Sequence, residues 1–176
     1  ELAISVVLKI IYTLFSIPSW GFASAVNSVV SNLIGQFKYS QVFLAIMRTS
    51  LMSMMFTLIL CLILILIPET LLGFFTKDIT IVEGAKPVLG ILVAIVLACS
   101  VSVVVFNGLM GTGATYSSLL IESLTITVYL SYGYLMSNVY KLGLTYVWSA
   151  EFIYWVLLAV PAWLFLHSER WKRFEL

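Results

Sequence analysis

The sequence predicts an all-α protein, a polytopic membrane bundle of five transmembrane helices. Three observations carry that reading. Hydrophobic residues make up 62% of the chain and charged residues only 10%, against roughly 45–50% and about 25% in soluble domains. Apolar runs recur along the whole chain, each with at least the roughly 20 residues a helix needs to cross a hydrocarbon core of about 30 Å. The breaks between them hold most of the charge: Lys38 and Arg48, Glu69 to Lys86, Lys141, and His167 to Arg173. No stretch is left for a soluble domain. A net charge of +1 with no basic patch argues against nucleic acid as a partner.

The first span is expected over residues 2–36. Small and polar residues recur at Gly21, Ser24, Ala25, Ser28, Ser31, Asn32 and Gly35. That spacing puts them on one helix face. Trp20, Phe22, Val26, Val29, Val30 and Leu33 take the other. In lipid, small residues let backbones approach closely, and Ser or Asn can bond across to a neighbour. The stretch from Ser16 to Lys38 is therefore expected to organise the bundle, with a bend near Pro18. Lys9 precedes Gln36 by 27 residues, roughly 40 Å along a helix. It is expected at the opposite interface, where its ammonium snorkels. The chain opens at Glu1 without a basic and cleavable leader, which reads as a start within a longer chain.

The other spans are expected at 45–67, 87–110, 116–140 and 144–167. Gln36 to Arg48 reads as a polar break. The second span is free of charge from Thr49 to Ile67 and stops at Pro68. Glu69 to Lys86 reads as the longest connection. Leu71, Leu72, Phe74 and Phe75 beside Lys77 and Asp78 predict a short amphipathic piece there. Pro87 suits the first turn of the third span. Gly108, Gly111 and Gly113 predict a break, since three glycines in six residues rarely stay helical. Lys141 to Gly143 makes the last turn. Cys61 and Cys99, inside apolar runs, read as small hydrophobes rather than a disulfide or metal pair.

Five crossings put the two ends on opposite sides. Lys38, Arg48, Arg170, Lys172 and Arg173 share one side; Lys77, Lys86 and Lys141 share the other. The positive-inside rule makes the first side, with the C-terminus, cytoplasmic.

No Ser/His/Asp set, HExxH, CxxC or phosphate loop is present, and His167 stands at the end of the fifth span. An enzyme, a metal site or a cofactor is therefore not expected. The informative residues are Glu122 and Glu151. A carboxylate inside a span costs several kcal/mol unless it is neutral or paired. Both are candidate cation-coupling groups; the alternative is a packing role with a hydrogen bond to a neighbour. Glu122 lies about 10 Å from the inner end of its helix and Glu151 about 10 Å from the outer end of its own. A shared proton is not expected. Glu122 matches the depth of Asn27, Ser28 and Asn32, which are expected to wall a cavity it enters. Tyr129 and Tyr132 lie nearer the depth of Glu151 and are its expected partners. Their rings also suit a cavity for a flat cation.

These residues resemble a family. Pro18-Ser-Trp-Gly-Phe-Ala-Ser-Ala25, followed by Val30-Ser-Asn-Leu-Ile-Gly-Gln36, is similar to the eighth helix of multidrug and toxic compound extrusion (MATE) transporters. Phe74-Phe-Thr-Lys-Asp78 resembles the segment between their ninth and tenth helices. Phe106 to Thr115 resembles the glycine-rich turn between the tenth and eleventh. The three motifs stand in order with a predicted span between each. The resemblance implies helices eight to twelve of a twelve-helix, two-lobed secondary transporter, with helices one to seven absent here. It implies a multi-pass protein of the cell (inner) membrane that exchanges protons or sodium for organic cations and other drugs by alternating access. The lipid bilayer and the missing helices would be its partners. Branches of the family place an acid on the seventh or tenth helix, and the span 87–110 has none, so no ion site carries over. A lipid-linked sugar flippase of the same superfamily is an alternative, and a non-transporting scaffold or subunit is another.

Overall fold

The structure, a computed structural model, describes residues 2–173. Helices α1 (Leu2–Gly35), α2 (Tyr39–Leu66), α3 (Pro68–Gly73), α4 (Ile79–Gly111), α5 (Thr115–Tyr134) and α6 (Leu144–His167) follow one another. A π-helical turn, Leu135–Val139, prolongs α5, and a 3₁₀ turn, Arg170–Arg173, follows α6. All but α3 are long and apolar enough to cross a membrane. The fold is an all-α polytopic bundle.

Helix α4 is the hub. It packs against α1, α2 and α6, whereas α5 packs chiefly on α6. Leu92, Ile95, Val96, Cys99 and Val104 are sealed from the surface on several sides of α4. The expected organiser, Ser16 to Lys38, is thus one wall of the bundle rather than its centre. A helix buried on every side must be apolar all round, and α4 meets that condition between Pro87 and Phe106, where no charge occurs. Helix α1 carries a polar stripe and does not.

Hydroxyls tie the helices together. Ser19 and Thr57 share a hydrogen bond of 3.2 Å between α1 and α2. The Ser53 hydroxyl donates to the Ser100 carbonyl of α4 at 2.9 Å, and Ser31 donates to the Gly111 carbonyl at 3.1 Å. These contacts matter in lipid because apolar helix faces have no hydrophobic reason to prefer each other over acyl chains.

The three glycines at the end of α4 do different work. Helix α4 runs through Gly108 to Gly111, so the expected break there is later and shorter. A Cβ at Gly108 would meet Ile46 of α2 at 2.6 Å, and one at Gly111 would meet the Asn27 carbonyl oxygen of α1 at 2.8 Å. Only Gly113, at φ +80°, makes the turn into α5. Its missing Cβ leaves that left-handed conformation unstrained.

Two boundaries depart from expectation. Helix α2 begins at Tyr39 and not near residue 45, because Val42 and Ile46 are fully buried and hold its first turns in the core. Arg48 is therefore helical and exposed. Helix α4 begins at Ile79 and not at Pro87. The Asp78 carboxylate accepts hydrogen bonds from the Thr80 amide at 2.9 Å and its hydroxyl at 2.7 Å, an N-cap that starts the helix eight residues before the proline. Glu83 and Lys86 thus stand on α4, and only Pro68 to Gly73 is a separate amphipathic helix, anchored by buried Leu72. Helix α1 continues unbroken through Pro18. Cys61 and Cys99 are buried and unpaired.

Candidate functional site

The turn from Tyr140 to Gly143 is too short for anything but an antiparallel pairing of α5 and α6. Three contacts fix their register. Thr125 donates to the Leu157 carbonyl at 3.3 Å. The Tyr129 phenol donates to Glu151 Oε1 at 2.9 Å. Tyr132 and Ser149 share a hydrogen bond of 3.0 Å between their hydroxyls. Thr125, Tyr129 and Tyr132 stand three or four residues apart, which places all three on the stripe facing α6.

Glu122 continues that stripe one turn before Thr125 and is half-buried. By the register, Glu122 faces α6 near Ala159, about eight residues from Glu151, or roughly 12 Å in depth. The two carboxylates are therefore separate groups and not a dyad.

Glu151 occupies an aromatic box. On α6 it stands between Trp148 and Trp155, three residues after one and four before the other, on one helix face. Tyr12 of α1 reaches across to both. Its hydroxyl accepts a hydrogen bond from Trp155 Nε1 at 3.1 Å, and its ring meets Trp148 edge-on at 6.3 Å. Tyr154 packs edge-on against Tyr129 at 5.6 Å and against Trp155 at 4.9 Å. From α4, Cys99 sits beside Tyr12 and Ser16. Helices α1 and α6 share little direct backbone packing, so long side chains span the gap between them. A half-buried carboxylate in an aromatic neighbourhood is a chemical match for an organic cation, since aromatic rings and a carboxylate both attract positive charge.

The other expected cavity residues lie elsewhere. Asn27 is half-buried, and Ser28 and Asn32 are exposed on the small-residue face of α1. Helix α5 does not pack along that face; α4 and α6 stand between. Glu122 and the Asn27–Asn32 stretch are thus not brought together by helix packing. A cavity of about 770 Å³ opens at the α1–α2 and α4–α5 turns, between Phe37, Tyr39, Thr112 and Trp171, and among the described residues no acidic side chain lines it. Sequence reasoning missed Tyr12, Trp148 and Trp155. A signal existed: Lys9, Tyr12, Ser16 and Ser19 form a polar stripe in the first half of α1, a costly pattern in lipid unless it faces protein.

The MatE family model matches residues 3–135, from the start of α1 to the end of α5. The chain belongs to the MatE family. One MatE relative is described as a probable multidrug resistance protein NorM, from Thermotoga maritima. It is 25% identical over 157 residues, which cover 89% of this chain and 34% of the relative. The chain thus spans about a third of the length of that curated relative. No solved structure matches it significantly. The MatE assignment and the five apolar helices together make this a multi-pass membrane protein.

Proposed function

We propose that the chain is part of a secondary multidrug exporter that exchanges protons or sodium for organic cations by alternating access. The observation that carries this reading is the Tyr129–Glu151 hydrogen bond inside the box of Tyr12, Trp148, Tyr154 and Trp155. Its location between α1, α5 and α6 lets one bound cation sense the relative position of three helices. Binding of a proton, sodium or substrate changes the charge of Glu151 and so biases the equilibrium between inward- and outward-facing states. Glu122, about two turns deeper toward the proposed cytoplasmic side, is the second coupling group. The relative's description as a multidrug resistance protein supports drugs as the cargo.

The test uses the full-length transporter in proteoliposomes, with ethidium as the probe cation. Glu151→Gln keeps shape and most hydrogen bonding but cannot change its charge. It is expected to fold and to lose ion-driven ethidium efflux by at least about tenfold. Glu122→Gln is expected to uncouple efflux from the ion gradient. Normal efflux with unchanged pH and sodium dependence in both variants would reduce these glutamates to packing groups.

A further inference from the structure

Glu151 receives the Tyr129 hydrogen bond on one oxygen, Oε1, and Oε2 has no hydrogen bond among the described residues. Oε2 is not sealed off either, since among the described residues the one fully enclosed and unpartnered side-chain atom is Ser50 Oγ. The box thus holds an open anionic valence. The candidate cation is on α1. Tyr12 faces the Trp148–Glu151–Trp155 side of α6, and Lys9 stands one turn from Tyr12 on the same helix face. Lys9 is exposed and forms no ion pair; among the described residues those are Lys86–Glu69 and Lys172–Glu169. Its flexible four-carbon stem lets the ammonium travel several ångströms from its helix.

We infer that Lys9 is a tethered competitor for the Glu151 site: its ammonium exchanges between its exposed position and the free carboxylate oxygen, which it yields to an arriving cation. The inference rests on the proposed role of Glu151 and adds a device that role lacks. A bare carboxylate in the membrane is costly, and a resident ammonium offsets that cost between transport cycles. The same ammonium sets a threshold, because cargo must outcompete it. Among the described residues, the other titratable groups near Glu151 are Tyr12 of α1, Cys99 of α4, Tyr129 of α5, which bonds it, and Tyr154 of α6. None of them carries a positive charge, so Lys9 is the residue that can take this part.

Two measurements on the full-length transporter test it. The first is ethidium affinity, by fluorescence titration, for Lys9→Met, Glu151→Gln and the double variant. Lys9→Met keeps the apolar stem and removes the charge. It is expected to tighten ethidium binding at least about fivefold, a coupling typical of linked sites. The double variant is expected to bind no more tightly than Glu151→Gln alone. Unchanged affinity in Lys9→Met overturns the inference, as does equal tightening in the Glu151→Gln background. The second measurement needs no substrate: melting temperatures of the same variants. A resident ion pair predicts that the double variant melts no lower than either single one. Additive losses overturn the inference even if Glu151→Gln has abolished efflux. Non-additive losses with normal efflux in Glu151→Gln leave the pair standing and dismiss the transport role.

Discussion

Gly111 and Gly90 are alike in sequence terms, both glycines within the apolar helix α4, yet they differ in what surrounds them. A Cβ at Gly111 would stand 2.8 Å from the backbone oxygen of Asn27, while Gly90 has nothing within 4 Å. Backbone cannot yield as a flexible side chain can, so α1 would have to move. Gly111→Ala is expected to cost about 1–3 kcal/mol, the range for overpacking. It also threatens the Ser31 hydrogen bond to the Gly111 carbonyl. Gly90→Ala is expected to be neutral or to stabilise by up to about 1 kcal/mol, because alanine loses less entropy in a helix. Thermal unfolding in detergent compares the two. Equal losses would mean that helix propensity and not the α1–α4 approach decides.

At the scale of elements, the start of α4 shows how a few polar atoms overrule a proline. Asp78 caps the helix through Thr80, and the same hydrogen bonds hold its carboxyl below the usual range. Lys86, 2.6 Å from Glu69, ties α4 to α3 and likewise holds the Glu69 carboxyl low. Both groups are exposed, so neither contributes much to global stability. The sign of the effect is still defined. A carboxyl lowered in the folded state contributes above its unfolded value, and that contribution is lost as pH falls through the folded value. The first turn of α4 is therefore expected to fray below the ordinary carboxylate range and to stay closed at neutral pH. Hydrogen exchange at the Thr80 amide, scaled to its unstructured rate, reads this. Asp78→Ala is expected to remove the protection at every pH; protection that survives it would mean that the cap does not set the boundary.

At the scale of the molecule, odd span number and charge asymmetry make a topology. A cysteine at Lys38 is expected to react with an impermeant maleimide only from the cytoplasm, and one at Asp78 only from outside. Both positions lie at helix ends among exposed residues, and Cys61 and Cys99 are buried, so the background is low. The reverse pattern would mean that five basic residues against three misassign the sides. Helix α5 packs chiefly on α6, whereas α1, α2 and α4 pack on one another. Glu122 and Tyr129 ride on α5.

The sequence by itself determined the helical class, the number of crossings, and the separate depths of Glu122 and Glu151. Each follows from composition or from 1.5 Å per residue along a known direction. The Tyr129–Glu151 contact was legible for the same reason: a short turn makes α5 and α6 antiparallel, and depth then selects the partner. Helix neighbours were not legible. In water an apolar stripe marks the buried face, but in lipid the outward face is just as apolar. Only the tertiary structure decided that α4 is the hub, that Gly108 and Gly111 are contact points and Gly113 the turn, and that α5 stands away from Asn27, Ser28 and Asn32. It alone brought Tyr12 and Trp155 together across 143 residues of chain. That pairing depends on which faces of three helices converge, and no property read along one helix specifies it.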